Sequence, residues 1–240
     1  MNRQKWLYLL VVSAAAAAAQ ALSLAFGFEA DTGLPRAGLF LLLPPLVLAA
    51  GAAGALYLTR DLKKRTDAPF EALFPLRGRE AVLPGVLGSF LLLGSAALGF
   101  VQGEGRTPVL FAALMGLCAL YLTAALRRGQ AEPMMTLPAA YLMPVLLLLR
   151  YRECSYVSAW ACFYLEVLAL AALVGCCILL SGFAFRQGRP RLYAVVALLS
   201  VPLCLCAAMQ AESLASALRF LGHAAVQLGF LAGFAPEQAA

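Results

Sequence analysis

Glu166 and His223 are ionisable residues set within long apolar runs, and any chemistry in a chain of this kind is sought first at such positions. At a helix centre inside a bilayer a charged side chain costs roughly 2.5–3.5 kcal/mol on insertion scales, so it needs a partner or a cavity. Counted from the outer ends of their apolar runs, as oriented below, Glu166 and His223 are each tenth and Gln20 is ninth. Three separate segments therefore offer a polar group at one depth. The last run adds a stripe: Glu212, Ser216, Arg219, His223 and Gln227 are spaced by four, three, four and four residues, one face of a helix.

That face cannot meet lipid, and it has three readings. It lines a cavity or ion path, with Glu166 and His223 as a proton- or cation-responsive pair and Gln20, Arg219 and Gln227 beside them. It forms a seam of interhelical hydrogen bonds worth about 0.6 kcal/mol each. Or the last helix lies in the headgroup region with its polar side in water. The first predicts side chains converging on a cavity open to one side; the second predicts a closed bundle with the polar groups paired off.

Catalytic signatures are missing. One histidine cannot build a dimetal centre or a His-Glu-x-x-His zinc site. The three aspartates, Asp31, Asp61 and Asp67, stand in loops rather than in a magnesium-diphosphate motif, and neither Gly-x-Ser-x-Gly nor a phosphate-cradling glycine loop occurs. The seven cysteines lie mostly in apolar runs at spacings that make no zinc or redox motif. The chain thus reads away from an enzyme, and no cofactor or metal is expected.

The elements that must position these residues follow from composition. Of 240 residues 63% are hydrophobic and 12% charged, with a mean hydropathy of +0.85, against about 25% charged in soluble domains. Lipid must cover most of such a surface. The net charge of +6 sits in clusters beside apolar runs rather than along a solvated face, which argues against a nucleic-acid partner. Apolar runs occur at residues 6–28, 37–59, 82–101, 108–126, 135–149, 157–183, 192–211 and 214–235. Most match the roughly 20 residues that cross a bilayer. The expected fold is an all-α integral membrane protein, a bundle of about eight transmembrane helices in a single domain over 1–240. The fifth run is short and holds Pro138 and Pro144, which predicts a kinked, tilted or partly re-entrant segment; the eighth is the least apolar.

With the amino terminus in the cytoplasm, Arg3, Lys5, Arg60, Lys63, Lys64, Arg65, Arg77, Arg79, Arg127, Arg128, Arg186, Arg189 and Arg191 fall inside. Arg36, Arg106, Arg150, Arg152 and Arg219 fall outside, the bias expected of a protein of the cell membrane with both termini cytoplasmic. Trp6, Tyr8, Tyr57, Tyr121 and Tyr193, with Tyr151, Tyr156 and Trp160 opposite, read as interfacial aromatic belts. Thr107-Pro108 reads as a cap and first-turn proline. Ala19-Gln20-Ala21 resembles a signal-peptidase site, although apolar sequence continues through Phe28.

Ala55-Leu56-Tyr57-Leu58-Thr59 followed by Leu62-Lys63-Lys64 is matched by Ala119-Leu120-Tyr121-Leu122-Thr123 followed by Leu126-Arg127-Arg128. Residues 6–65 and 82–129 therefore read either as a duplicated hairpin or as a chance likeness of Leu- and Ala-rich spans. The polar loop from Arg60 to Glu80 holds a short amphipathic piece, Pro69 to Pro75, expected to rest on the membrane surface or to dock a soluble partner. The turn from Arg150 to Tyr156 reads as a salt-bridged helix end or as an anion-receiving site. Two functions follow: a small-ligand or ion transport or binding protein, or an accessory, assembly or sensor subunit that uses Arg60 to Glu80 as its contact with a membrane or cytoplasmic protein.

Overall fold

The computed structural model describes residues 3–28, 38–75, 79–103, 105–155 and 160–235. Asp31, Arg36, Arg77 and Tyr156, and the side chains of Arg3, Arg79, Cys154, Trp160 and Cys162, lie outside what it describes. The described residues form α1 (Arg3–Phe26), α2 (Leu43–Leu58, entered through a 3₁₀ turn at Leu39–Leu42) and a one-turn α3 (Phe70–Leu73). There follow α4 (Arg79–Val101), α5 (Arg106–Arg128), α6 (Pro133–Ser155), α7 (Trp160–Ala184), α8 (Pro190–Met209) and α9 (Leu214–Gly233). Eight of them, all except α3, are long and apolar enough to cross a membrane, the build of a multi-pass membrane protein.

Neighbouring helices close a ring in which α4 meets α5, α5 meets α6, α6 meets α7, α7 meets α8, α8 meets α9 and α9 returns to α4. The α1–α2 hairpin stands outside this ring and packs on α8. One end of the bundle carries Lys63, Lys64, Arg65, Arg127, Arg128, Arg189 and Arg191 and is here termed the basic end. There α1 begins and α9 finishes, the Ala235 N–H donating to the Leu73 carbonyl at 2.8 Å.

Apolar helices do not attract one another through water in a bilayer, so close packing of small residues must hold them. The α4–α9 crossing supplies it. A Cβ added at Gly88 would stand 2.5 Å from the Gly222 carbonyl oxygen, and one at Gly229 would stand 2.8 Å from that of Ala81 and 2.9 Å from the Gly85 nitrogen. At α1 and α2, by contrast, Tyr8 lies against Gly51 and Gly54 and its hydroxyl donates to the Gly51 carbonyl.

Several expectations are corrected. The fifth span is not a re-entrant piece but one continuous helix, α6, of 23 residues. Pro138 is exposed and Pro144 half-buried within it, and α6 is tied to α7 by the Ser181 hydroxyl, which donates to the Thr136 carbonyl at 3.1 Å. The eighth span is not interfacial: α9 packs on α4, α5 and α8 and buries Ala215 through Gly233 along one side. Gly105, not Thr107, caps α5, and it does so without a side-chain bond. Tyr193 is fully buried rather than part of an aromatic belt. Both candidate repeats are antiparallel hairpins, yet matching residues do different work. The Thr59 hydroxyl closes the end of α2 on the Ala55 carbonyl at 2.7 Å, whereas the Thr123 hydroxyl lies against Gly85.

The short amphipathic piece after α2 packs on the chain's own core. Phe70, Leu73 and Phe74 are buried because the apolar side of α3 turns into the bundle, leaving Glu71 outside. Phe74 is fully enclosed by Phe70, Phe183, Tyr193, Phe230 and Phe234, with ring centroids 4.6–6.1 Å apart. These rings fill the basic end of the ring. Removing one should leave a void costing about 3–5 kcal/mol. Phe74→Ala is therefore expected to lower the melting temperature of the detergent-solubilised protein sharply and Glu71→Ala to leave it unchanged; equal melts would detach α3 from the core.

Candidate functional site

The end of the ring opposite the aromatic plug holds an interior ion pair. α6 continues past its apolar run to Ser155, so Arg150 is a helical residue with Glu153 one turn beyond it. α7 begins at Trp160, which makes Glu166 its seventh residue. The two helices are neighbours and run in opposite directions, so these side chains meet. The Arg150 Nε donates to Glu166 Oε1 at 2.9 Å and its Nη2 to Oε2 at 3.0 Å, while Nη1 donates to Glu153 Oε2 at 3.1 Å. This two-pronged geometry is the strongest ordinary pairing of a guanidinium with a carboxylate. The Glu166 side chain is 11% exposed and that of Glu153 is 62% exposed, so the first pair is interior and the second faces water.

The pair stands in the wall of a cavity of about 330 Å³. The start of α5 contributes Gly105, Thr107 and Pro108; α6 adds Leu146, Leu149, Arg150 and Glu153; α7 adds Glu166 and Leu170. The opposite wall is the α8–α9 turn, Gln210 to Ser213, with Ser216, Arg219 and Phe220 of α9. Ser213 builds that wall by capping α9, its hydroxyl accepting the Ser216 N–H at 3.0 Å. Two arginines and three glutamates thus share one small volume with apolar sides, an amphoteric chamber at one end of the bundle.

Comparison with protein-family models, with curated proteins and with solved structures finds no match to this chain. The site must therefore be read from its own groups.

Of the five residues singled out by sequence, Glu166 and Arg219 line the chamber. Gln20 does not line it, but its amide Nε2 donates to Oε1 of Gln210, which does, at 3.1 Å. His223 and Gln227 lie deeper along α9, buried and off the chamber wall. Among the described residues His223 Nε2 and Gln227 Oε1 have no hydrogen-bond partner. The expected pairing of Glu166 with His223 is replaced by the pairing with Arg150, and depth is the reason. Glu166 is seventh from the end of its helix and Arg219 sixth, but His223 is tenth, about 4.5 Å deeper at 1.5 Å per residue.

Arg150 and Gln210 are not among those five, although Arg150 does form the salt-bridged helix end that its sequence suggests, with Glu153. The bond from Arg150 to Glu166 is the part with no sequence signal, because the apolar run stops at Leu149 and places Arg150 beyond the span. Gln210 carries no such signal; only the fold brings it against Gln20 across 190 positions. Among the described residues no group of three or more His, Cys, Asp or Glu is arranged to hold a metal ion. What the chamber offers a guest is paired charges of both signs, hydroxyls at Thr107, Ser213 and Ser216, and an apolar flank at Leu170 and Phe220.

Proposed function

We propose that this chain is a membrane protein that receives a small hydrophilic solute, carrying charge of both signs or a cation, in an outward-facing chamber, as the binding stage of transport. The observation that carries the reading is the amphoteric chamber itself, formed around the Arg150–Glu166 pair at the end of the bundle away from the basic loops. A helix bundle with only a packing role has no need to hold the Arg150–Glu166 pair in the wall of a void, since the buried Glu166 costs more than the apolar residue that could replace it, while Glu153 and Glu212 stand exposed beside it. By the positive-inside bias the chamber opens to the cell exterior and the aromatic plug closes the cytoplasmic end. Glu166 and Phe183 stand 17 residues apart on α7, about 25 Å of helix separating chamber from plug. His223 and Gln227 occupy the interval on α9, and they form the next polar station for a solute or proton leaving the chamber.

The accessory-subunit reading has less to stand on, because the apolar side of α3 is already spent on the chain's own core. The loop keeps only a charged outer face for a partner. The likeness between 6–65 and 82–129 is read as an ancestral hairpin duplication whose two copies now support different neighbours.

Cysteine accessibility tests orientation and chamber together. In a cysteine-free background, Ser216→Cys is expected to react with a membrane-impermeant thiol reagent added outside intact cells, and Lys64→Cys and Arg128→Cys only after permeabilisation. Labelling at Ser216 should slow when the correct solute is present. External reaction at Lys64 or Arg128 would invert the topology, and a Ser216→Cys inert from both sides would close the chamber and end the proposal.

A further inference from the structure

At the basic end a second concavity, about 310 Å³, lies between the end of α2 and the start of α8 and is lined by Lys64, Arg65, Arg189 and Arg191 with Leu56, Leu192 and Val195. Positive charge is common at this end of a multi-pass protein, and a scatter of it means nothing. Here it is organised. The chain segments that bear these residues lie some 125 positions apart and are fixed to each other by backbone pairing. The Thr66 N–H donates to the Gly188 carbonyl at 3.0 Å, the Gly188 N–H returns to the Thr66 carbonyl at 3.1 Å, and the Arg191 N–H reaches the Lys63 carbonyl at 3.4 Å.

Four cations are thereby held around one hollow, and among the described residues none of the four forms an ion pair with a carboxylate. Arg189 also precedes the first turn of α8, so the positive end of that 20-residue helix points to the same place. An anion is the missing countercharge. The apolar residues say which kind of molecule carries it. Leu56 and Leu192, 50% and 44% exposed, lie at the rim on the sides of α2 and α8, two helices apolar enough to span the membrane, where acyl chains would run.

We propose that this hollow binds the phosphate of an anionic phospholipid, with the headgroup held by Lys64, Arg65, Arg189 and Arg191 and the chains lying along Leu56 and Leu192. The inference is independent of the chamber and of its solute. A basic hollow between spanning helices at a membrane–water boundary is a recurrent way to hold such headgroups. The same cations could hold a free phosphate, and the two sources are separated below by whether the apolar part of the molecule matters.

The test is native mass spectrometry of the full chain in neutral detergent with phosphatidylglycerol, with phosphatidylcholine of identical chains, and with inorganic phosphate. Wild type is expected to retain one phosphatidylglycerol in preference to phosphatidylcholine, and millimolar phosphate should not strip it. Replacing Lys64, Arg65, Arg189 and Arg191 together by Gln should abolish the preference, and Arg191→Gln alone should weaken binding roughly fivefold, the effect of one surface charge. Two controls keep the result interpretable. Changing Lys5, Lys63, Arg127 and Arg128 to Gln removes as much charge at the same end and should leave the preference intact. Changing Arg65, Arg189 and Arg191 to Lys keeps the charge and should keep the lipid, and phosphatidylglycerol should raise the melting temperature of this variant as it does for wild type. Equal retention of the two lipids, equal loss in the control set, or loss of the lipid with the three arginines changed to Lys would overturn the proposal. Displacement by phosphate would assign the hollow to a soluble anion instead.

Discussion

Replacing Gly88 or Gly222 by leucine is expected to abolish recovery of folded protein from the membrane, whereas Gly94→Leu, on the same helix as Gly88, should be recovered like wild type. The first two glycines face each other where α4 and α9 touch backbone to backbone. A Cβ at Gly88 meets the Gly222 carbonyl oxygen at 2.5 Å and the Val226 nitrogen at 2.7 Å, and one at Gly222 meets the Gly88 oxygen at 2.9 Å. Neither obstacle is a flexible side-chain tip that could swing aside. Ordinary overpacking of a core costs about 1–3 kcal/mol; here the helices themselves must part, and because their attraction is van der Waals contact, separation forfeits the contact that holds them. The expected penalty is more than about 3 kcal/mol, enough to unfold a marginally stable bundle. A Cβ at Gly94 meets nothing within 4 Å, so its leucine has open space. Size-exclusion profiles and thermal melts in detergent read the difference. If Gly88→Leu were recovered as a monodisperse protein with an unchanged melt, α4 and α9 would not be the seam of the ring.

That seam was invisible in the sequence, and the reason is physical. Eight apolar runs are legible because burial in lipid demands length and hydrophobicity of each helix separately, and the eight helices of the fold answer them closely. Which helix touches which depends on pairs of small residues, and Gly85, Gly88, Gly222 and Gly229 stand in runs rich in glycine and alanine that do not name the helix each will meet. Helix ends were the weak point for the same reason that they matter functionally. An apolar run ends where lipid ends, but a helix ends where its backbone bonds run out. α6 therefore extends from the apolar Leu149 through Arg150 and Glu153 to Ser155, and that extension supplies the partner of Glu166. Counting depth from apolar boundaries placed Glu166 level with His223, whereas counting from helix ends separates them by about a turn. The stripe on the last span begins one member later than its spacing suggests, since Glu212 lies in the turn before the Ser213 cap, but Glu212, Ser216 and Arg219 all reach the chamber. Its lower members, His223 and Gln227, share the face but not the chamber, because the face continues below the chamber floor. For the loop after α2, the amphipathic pattern of Phe70, Leu73 and Phe74 was legible but its partner was not. A pattern that could lie on lipid can equally lie on protein, and the aromatic residues of α7, α8 and α9 decide the matter.

Stability and solute binding should come apart at the Arg150–Glu166 pair, and unequally for its two members. Arg150→Met leaves Glu166, 11% exposed, without either of its guanidinium bonds, and removing one partner of such an interior pair costs about 3–5 kcal/mol. Glu166→Gln leaves Arg150 bonded to Glu153 and able to donate to the new amide oxygen, so the loss should be nearer 1–2 kcal/mol, roughly that of weakening a charge-assisted bond. The double variant Arg150→Met with Glu166→Leu replaces the pair by apolar groups of similar bulk, and such replacements are commonly neutral or stabilising. Its melting temperature should return to or above that of wild type. The chamber would then have lost one arginine and one glutamate, and solute protection of Ser216→Cys should vanish in the double variant despite its restored stability. This outcome separates a site from a seam: if the pair only glued α6 to α7, the double variant would keep both its fold and any solute response. Equal destabilisation by the two single changes would mean that Glu153 gives Arg150 no support once Glu166 is gone. A melt unaffected by Arg150→Met would mean that water reaches the Glu166 carboxylate freely, and the chamber wall would then be open rather than sealed by the pair.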